Sequence, residues 1–412
     1  MSNRKKYFKH KKQNENATKA IARVLIIVEN LSVPFDRRVW QEANTLKNAG
    51  YAVSIICPVG SGYNKKHEVI NDITIYRHRI PLEASNKYLF IIEYASAFLS
   101  ELYLSFRVFF KEGLDVVHAC NPPDTIFIIG GIFKLLFGCK FVFDHHDINP
   151  ELYEAKFGRR DHFYRLLLFL ERMTFRTADV SIATNESYRR IAITRGGMAP
   201  DKVVVVRSGP DLNRLKIGPA VEALKRGRNF LVGYVGVMGK QEGIEFLLQA
   251  AHHIIRVQNR RDIQFALVGG GTALGWLKAM ASDLGIADYV TFTGRVPDSE
   301  MLDVLNTADV CVNPDEWNEM NDKSTMNKIM EYMALEKPIV QFDLTEGRYS
   351  AQDASLYAEP NNAIDLAHKI MQLLDDPDLR ARMGKLGRQR VEDELAWSHQ
   401  APRLIAAYQL LG

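Results

Sequence analysis

The sequence predicts an α/β protein of two doubly wound domains, each a parallel sheet with helices on both faces. Three observations predict this fold class. The chain has 412 residues, which is more than one hydrophobic core usually supports. Short apolar runs alternate with helical segments, a pattern typical of parallel sheets. This alternation pauses near residues 209–220 and restarts at Phe230, so we expect two domains of roughly 200 residues each.

The predicted strands are apolar runs that are too short for most helices. In the first domain they are Ala22–Val28, Ala52–Cys57, Ile73–Ile80, Asp115–His118, Lys140–Phe143, Val180–Ala183 and Val203–Val206. In the second domain they are Phe230–Val235, Gln264–Val268, Tyr289–Phe292, Val310–Val312 and Ile339–Phe342. A helix with clear periodicity, Phe35–Ala49, follows the first strand and ends at Gly50.

Composition and charge indicate an ordinary globular protein with an uneven charge distribution. The four cysteines form no CxxC pair and no zinc-ligand cluster, which fits a reducing compartment and no structural metal. Residues 1–210 hold 31 Lys and Arg against 21 Asp and Glu, and the remainder holds 22 against 28. A basic N-terminal half suits an anionic surface or a phosphorylated acceptor, although charges scattered over a solvated face explain the count equally well. Residues 1–20 are basic without an apolar core, which predicts a disordered tail.

Three apolar stretches could contact a membrane without crossing it. They are Leu89–Phe110, which Glu93, Glu101 and Arg107 interrupt, Thr125–Phe137, and Phe163–Phe175, which Arg159, Arg160, Arg165 and Arg172 flank. Together they could form an amphipathic face that lies on a bilayer. Core packing is the alternative explanation for each stretch taken alone.

Ligand-binding residues are expected directly after the strands, because ligands of open α/β sheets bind outside the carboxyl ends of the strands. In the first domain these positions carry Asp36, Arg37, Arg38, His118, His145, His146 and Asp147. In the second domain they carry glycines, including Gly236 and Gly270, and the cation Lys240. Glycines at such turns let the backbone approach a diphosphate closely. Such loops occur in many proteins, so by themselves they are weak evidence for a diphosphate site.

A polar turn, a short helix and a buried strand follow one another in Asn321–Val340. Ser324 or Thr325 is the predicted N-cap, and Lys337-Pro338 ends the helix. Free backbone amides beside Lys323 and Lys328 are typical of a phosphate site, and Glu331 could accept hydrogen bonds from sugar hydroxyls. A capped surface helix with one ion pair is the alternative.

In this order, these segments resemble the retaining glycosyltransferase family 4, whose members have the two-domain GT-B fold. The resemblance runs from about Arg23 onward and is carried by VENLSVPFDRRVWQEANTLKNAGY, FDHHDINPELYEAKFGRR, VRSGPDLNR, GYVGVMGKQEGIEFLLQA, FTGRVPDSEMLDVLNTADVCVNP and NDKSTMNKIMEYMALEKPIV. It implies two Rossmann-like domains that face each other across a cleft. The acceptor would bind at residues 21–212 and the nucleotide sugar at 213–396, and a final helix at 397–412 would cross back to the first domain.

The resemblance also implies roles for individual residues. Glu331 matches the second glutamate of a paired motif, which binds the donor ribose, and His146 resembles a histidine next to the donor sugar. The implied catalytic residues are His146, Lys328 and Glu331. The implied donor-binding residues are Gly236, Lys240, Gly270, Arg295, Lys323, Ser324, Thr325, Asn327, Lys328 and Glu331. The implied acceptor-binding residues are Asp36, Arg37, Arg38, His118, His145 and Asp147.

The chain departs from the family pattern at three places. The first glutamate of the pair is Lys323, and Ser32–Asp36 replaces a glycine pair. The arginine and lysine that usually follow the second domain's first strand fall at Val237 and Glu242. Either the site is lost or other cations neutralise the phosphates, and the available ones are Lys240, Lys323, Lys328 and Arg207.

These inferences predict a retaining hexosyltransferase that uses a UDP-sugar in preference to a GDP-sugar. We expect no metal or cofactor, because no Asp-x-Asp follows a strand end. The expected acceptor is a free or polyprenyl-diphosphate-linked glycan in surface polysaccharide synthesis. We expect a cytoplasmic protein, free or peripheral on the inner membrane face, without a nucleic-acid partner.

Three other functions are alternatives to this one. A GT-B hydrolase or epimerase of nucleotide sugars is the alternative within enzymes. An inactive sugar-nucleotide-binding scaffold subunit is the alternative outside them. A nicotinamide dehydrogenase is disfavoured, because Gly236-x-x-Gly239 is not GxGxxG and the loop after the first strand has no glycine.

Overall fold

The computed structural model describes residues 20–60, 62–79 and 87–412, with side chains for all of these except 87–95. The expected basic tail lies outside the described residues up to residue 19. The chain forms two compact units. One unit runs to Phe143 and includes Thr177–Asp179, and the other contains Asp144–Arg176 and Val180–Gly412. The expected boundary between residues 212 and 213 stays a prediction.

Among its described residues, the first unit contains five whole strands, the first part of a sixth and three α-helices. The strands are β1 (Arg23–Ile27), β2 (Ala52–Pro58), β3 (His67–Ile70), β4 (Ile73–His78), β5 (Val116–Cys120) and β6 (Lys140–His145), and the helices are α1 (Arg37–Asn48), α2 (Lys87–Lys111) and α3 (Phe127–Phe137). These strands are ordered β3-β4-β2-β1-β5-β6. Strand β1 pairs in parallel with β2 and β5, whereas the edge strand β3 is antiparallel to β4.

The second unit begins with α4 (Asn149–Phe157) and α5 (His162–Thr177). Next come β7 (Val180–Ala183), α6 (Glu186–Thr194) and β8 (Val203–Val205), with β7 and β8 paired in parallel. Asn185 caps α6, because its side chain accepts a hydrogen bond from the Tyr188 amide.

A six-stranded parallel sheet forms the centre of the second unit. Its strands are β9 (Phe230–Val235), β10 (Ile263–Val268), β11 (Val290–Gly294), β12 (Val310–Asn313), β13 (Ile339–Phe342) and β14 (Ser355–Ala358), in the order β11-β10-β9-β12-β13-β14. The remaining helices are α7 (Ile244–His252), α8 (Leu274–Asp283), α9 (Asp298–Thr307), α10 (Glu319–Lys323), α11 (Asn327–Ala334), α12 (Thr345–Ala351), α13 (Ala363–Asp375), α14 (Pro377–Arg390) and α15 (Trp397–Gln409). This order confirms the predicted doubly wound sheet.

Apolar side chains are buried on both faces of this sheet. The neighbours Leu231 and Val232 of β9 belong to different hydrophobic clusters, because successive side chains of a strand point to opposite faces. Both faces are covered, so β9 carries no charged or amide side chain, and β10 and β13 are apolar except for the buried Gln264 and Gln341, as is typical of parallel sheets.

The final helix α15 packs on β7 and β8, which lie in the segment that the sequence analysis assigns to the N-terminal domain. Leu404 and Tyr408 are buried, and Trp397 and Ile405 are half-buried. These four residues are the apolar face expected for this helix. Within the described residues, no helix is both long enough and apolar enough to cross a membrane.

Candidate functional site

The candidate site lies at the carboxyl ends of β9 and β12. The chain runs from β9 outward through β10 and β11 and then returns to β12 on the other side of β9. Such a reversal is the topological switch point at which open α/β sheets bind their ligands. Three charged side chains meet there: Glu242 from the turn after β9, Asp315 from the loop after β12, and Lys328 from the first turn of α11.

Lys328 is a buried cation held by two carboxylates. Its ammonium donates to Asp315 Oδ1 at 2.9 Å and to Glu242 Oε2 at 3.0 Å. It also lies 5.0 Å from the centre of the Tyr234 ring. Burial opposes its charge, but Asp315 and Glu242 more than offset that effect and raise the pKa of Lys328 well above its usual value. Lys328 is therefore charged and fixed in position.

Asp315 is the most deeply buried acid of this cluster, with 1% of its side chain exposed against 19% for Glu242. Burial raises the pKa of Asp315 to about 7, against the opposing attraction of Lys328. Asp315 is not among the site residues predicted from the sequence. Its position two residues after β12 is the signal that could have found it, because strand ends are where ligands bind.

The glycines after β9 and β10, which include the predicted donor-binding Gly236, let backbone segments at the ends of these strands approach each other. A Cβ added to Gly269, whose φ is +136°, would lie 1.8 Å from the Gly236 carbonyl oxygen. At Gly271 it would lie 2.4 Å from the carbonyl oxygen of Met238, and at Gly236 it would lie 3.3 Å from Lys328 Cε. The loop after β9 and the side chain of Lys328 are therefore neighbours.

Gly270 and Arg295 also lie together, at the ends of β10 and β11. A Cβ on Gly270 would be 3.8 Å from the Arg295 amide nitrogen, and the Arg295 side chain is exposed. Lys240 and Asn327 are exposed as well. Lys323 is half-buried and its ammonium pairs with Glu319 of α10. Lys323 is therefore already paired with an acid, whereas the side chains of Lys240 and Arg295 are exposed.

The predicted N-cap of α11 is wrong. Met326 occupies the cap position and no side chain caps the helix, because Ser324 and Thr325 contact other groups. Ser324 Oγ donates to the Met320 carbonyl and lies 3.0 Å from the Tyr188 hydroxyl oxygen, and Thr325 Oγ1 accepts from Asn185 Nδ2 at 3.0 Å. Residues 324 and 325 therefore tie the start of α11 to the start of α6.

Glu331 is held by an arginine that the sequence analysis did not single out. Arg214 Nη2 donates to Glu331 Oε1, and Arg214 Nη1 donates to the more exposed Asp298 at 3.2 Å. Arg214 is the last residue of VRSGPDLNR, one of the segments that carry the family resemblance. That position is the sequence signal that could have identified it as a site residue. The alternative interpretation, a capped surface helix in which Glu331 pairs with Lys328, is not supported, because Lys328 instead binds Asp315 and Glu242.

Arg207, one of the cations considered for phosphate, is bound to Glu346 of α12. Its Nη2 donates to Glu346 Oε2 at 3.0 Å, and both side chains are buried. Glu346 also accepts from the Ser187 hydroxyl at 2.7 Å. Glu346 lies in a helix that no motif covered, so the sequence did not reveal this pair.

The two histidines after β6 have different surroundings. His146 Nε2 lies 2.5 Å from Asp144 Oδ2, and His146 is partly exposed. A carboxylate in this position fixes the tautomer of the imidazole. His145 is fully buried against Phe175 and Tyr188. Burial, together with the positive charge of Arg195, lowers the pKa of His145 to about 3, so this ring stays neutral.

The predicted acceptor-binding residues of the first unit have partners inside that unit. Asp36 caps α1 by accepting from the Val39 amide at 3.1 Å. Arg38 pairs with buried Glu42 at 3.1 Å, and buried His118 has its Nε2 3.8 Å from Glu42 Oε2. Arg37 is exposed, and Asp147, in the second unit, is half-buried. Their contact with an acceptor stays a prediction.

Solved structures with the same arrangement of elements define the class of fold. Sucrose-phosphate synthase from Thermosynechococcus elongatus superposes with a TM-score of 0.77 at 18% identity, over 95% of this chain and 99% of that one. Anabaena HepE in complex with UDP-glucose superposes with a TM-score of 0.72 at 15% identity, over 94% and 99%. At these identities the likeness shows the fold alone. The fold is GT-B, as the sequence predicts.

Two family models then identify the family. The model described as Glycosyltransferase Family 4 matches residues 36–214, and the model described as Glycosyl transferases group 1 matches residues 229–376. The chain belongs to the group 1 glycosyltransferases of family 4, which confirms the resemblance seen in its motifs.

Curated relatives share about a quarter of their residues with this chain. The 2-deoxystreptamine glucosyltransferase of Streptomyces kanamyceticus is 26% identical over 59% of this chain and 64% of its own length. The alpha-D-kanosaminyltransferase of the same organism is 26% identical over 44% of this chain and 46% of its own length. The chain thus matches less than two thirds of each. The alpha-maltose-1-phosphate synthase of Mycolicibacterium smegmatis is 26% identical over 68% and 76%.

Proposed function

We propose that this protein is a retaining glycosyltransferase that moves a hexose from a nucleotide diphosphate sugar to a glycan acceptor without a metal ion. The acceptor is a sugar, free or linked to a polyprenyl diphosphate, in the synthesis of a surface polysaccharide. A UDP-sugar is the donor we favour, because HepE, a structural neighbour, is described with UDP and with UDP-glucose.

One observation carries the proposal: a buried ammonium is fixed at the topological switch point, at the start of a helix that no side chain caps. Two of the three ammonium protons of Lys328 go to Asp315 and Glu242. The Tyr234 hydroxyl also lies within hydrogen-bonding reach of the ammonium, and we propose that a phosphate oxygen of the donor takes its place. Amides at a helix start add partial positive charge at the same place.

The residues of the site then have distinct roles in the transfer. Negative charge develops on the departing diphosphate, and Lys328 with the first amides of α11 stabilises it, which is the type of electrostatic term that usually dominates catalysis. Glu331, oriented by Arg214, accepts hydrogen bonds from the ribose. His146, held by Asp144, orients the sugar. The acceptor attacks on the face from which the diphosphate leaves, and a phosphate oxygen takes the acceptor's proton.

A donor and acceptor panel tests this function. The purified protein is incubated with UDP- and GDP-sugars and with sugars on short polyprenyl diphosphates, with and without excess EDTA. We expect nucleoside diphosphate to be released only when donor and acceptor are both present, at a rate that EDTA does not change. The anomeric configuration of the product, read by NMR, should match that of the donor.

Each other result selects a different function. Release of nucleoside diphosphate without acceptor indicates a hydrolase, and donor binding without turnover indicates a scaffold subunit. Loss of transfer under EDTA that magnesium or manganese restores would contradict the metal-independent mechanism.

We further propose that α5 binds an anionic membrane surface. Its buried side carries Glu171, Thr174 and Phe175. Leu166 and Phe169 on its outer side are 46% and 57% exposed. The exposed arginines of this helix are Arg165, Arg172 and Arg176. An exposed apolar ridge beside a basic stripe is the pattern of helices that lie in the membrane interface.

Vesicle sedimentation tests the membrane proposal. We expect binding to anionic vesicles that weakens as salt rises, because each cation near the surface contributes about 1 kcal/mol that counterions screen. The double variant Leu166→Ser/Phe169→Ser should lose most of this binding. Trp276→Ser, at an equally exposed apolar residue of α8, is the matched control and should bind as the unaltered protein does. Equal binding to neutral and anionic vesicles, or unchanged binding by the double variant, would contradict the proposal.

A further inference from the structure

We propose that Asp315 is a positioning residue for the donor: it holds the ammonium of Lys328 at the switch point and takes up a proton when the donor diphosphate binds. The inference rests on the proposed function, because it takes the diphosphate of a nucleotide sugar as the ligand of Lys328. It adds a proton to the binding reaction and names the group that receives it.

The cluster consists of one cation and two acids. Lys328 contributes one positive charge, and Asp315 and Glu242 contribute two negative charges when both are ionised. The cluster is then net negative at the place where an anionic diphosphate is expected. Two like charges in a buried site repel each other strongly, because little solvent screens them. Uptake of one proton makes the cluster neutral and removes most of this repulsion.

The surroundings of Asp315 show why it is the carboxylate that receives the proton. Its Oδ1 accepts from Lys328, whereas its buried Oδ2 has no hydrogen bond of normal geometry among the described residues. Burial is the main cause of the raised pKa of Asp315, and it outweighs the hydrogen bond from the Asn313 side chain, which lowers that pKa. Glu242 is more exposed, so its charge costs less.

The other ionisable groups that face Asp315 are Glu242 in the turn after β9, Tyr234 of β9 and Lys328 of α11. Tyr332 of α11 faces Lys328. Burial raises the pKa of both tyrosines above the usual value, so they stay neutral. Lys328 stays charged, since its pKa is raised as well. The raised pKa of Asp315, about 7, places its titration near neutrality.

The sign of the pH dependence follows from linkage. Above about pH 7 Asp315 is ionised in the free protein, so donor binding must take up as much as one proton. Donor affinity should therefore fall as pH rises, by up to about tenfold for each pH unit. Below this range Asp315 is already protonated, and the affinity should level off.

Calorimetric titration measures the proton directly. A nucleotide sugar, UDP-glucose or GDP-mannose, is titrated into the protein near pH 8 in two buffers with different ionisation enthalpies. The nucleotide sugar is preferred to the free nucleoside diphosphate, because a terminal phosphate has its own pKa of about 6 and would add protons of its own. We expect an uptake that approaches one proton for each donor bound.

Two variants assign the proton to a residue. Asp315→Asn keeps an acceptor for Lys328 but cannot titrate, so it should bind the donor without proton uptake and with a flat pH profile. Its affinity near pH 8 should equal or exceed that of the unaltered protein. Glu316→Gln is the matched control, because it removes the neighbouring carboxylate outside the cluster, and it should keep the uptake.

The outcomes separate this inference from the proposed function. Equal proton uptake by the unaltered protein and by Asp315→Asn would overturn the inference. Donor binding by the unaltered protein with no uptake would also overturn it, even if Asp315→Asn did not fold. Failure of the unaltered protein to bind any nucleotide sugar would instead overturn the proposed function.

Discussion

Replacement of Lys328 by alanine is expected to abolish donor binding and to lower the free energy of unfolding by about 3–5 kcal/mol, the usual cost of removing one partner from a buried ion pair. The variant leaves Asp315 and Glu242 side by side without their cation. It also removes the proposed phosphate contact. Urea unfolding followed by circular dichroism measures the first effect, and calorimetric titration with a nucleotide sugar measures the second.

Two comparisons separate the loss of folding stability from the loss of the donor contact. Lys278→Ala removes an exposed lysine of α8, and a surface change of this kind should alter stability by no more than about 0.5 kcal/mol. Lys328→Ala/Asp315→Asn also removes one of the two unpaired charges, so it should regain part of the stability but none of the donor affinity. A Lys328→Ala protein that binds nucleotide sugars normally would show that the ammonium is not a donor ligand.

Replacement of Glu331 by glutamine is expected to weaken nucleotide-sugar binding by roughly tenfold or more, because a charge-assisted hydrogen bond contributes about 1.5–3 kcal/mol. In the structure the Glu331 carboxylate accepts from Arg214, so glutamine weakens this contact as well as the proposed contact with the ribose. The measurement is calorimetry with a nucleoside diphosphate and with its sugar derivative, both of which contain the ribose.

The second partner of Arg214 provides the control for this prediction. Asp298→Asn breaks the outer contact of the same guanidinium, and an exposed ion pair of this kind is worth about 0–1 kcal/mol. It should therefore change donor affinity little. Arg214→Ala should weaken binding, and its effect should not add to that of Glu331→Gln, because both act on one interaction. Normal affinity in Glu331→Gln would exclude Glu331 from the donor site.

The strands with two neighbours were all predicted, whereas two of the four edge strands that the structure describes were missed. Strands β7, β9 and β13 have the predicted bounds, because both faces of such strands are covered and most of their residues are apolar. The missed strands β3 and β14 lie at sheet edges. The four residues of β3, HEVI, are half-buried at best, so their apolar pattern is weak. An edge strand has one neighbour, and its sequence is correspondingly less constrained.

The sequence located the candidate site but not the pairing of its charges. Position after a strand or at a helix start identified the neighbourhood of Lys328 and Glu331, because the doubly wound topology brings strand ends to one edge. The ion-pair partners of these charged residues could not be identified in this way. Lys328 and Glu242 are 86 positions apart, and Arg207 and Glu346 are 139 apart. Spacing rules reach only one or two helical turns, so these pairs could be found only in the folded chain.

The tight backbone contacts at the ends of β9 and β10 limit how donor preference could be re-engineered. A side chain at Gly269 or Gly271 would collide with a main-chain carbonyl oxygen, and the backbone cannot move aside as a flexible side chain can. Randomised libraries that include these two positions would consist mostly of misfolded members. Val237 in the loop after β9 and Arg295 directly after β11 are exposed, so variation there explores new donor contacts while the sheet edge stays intact.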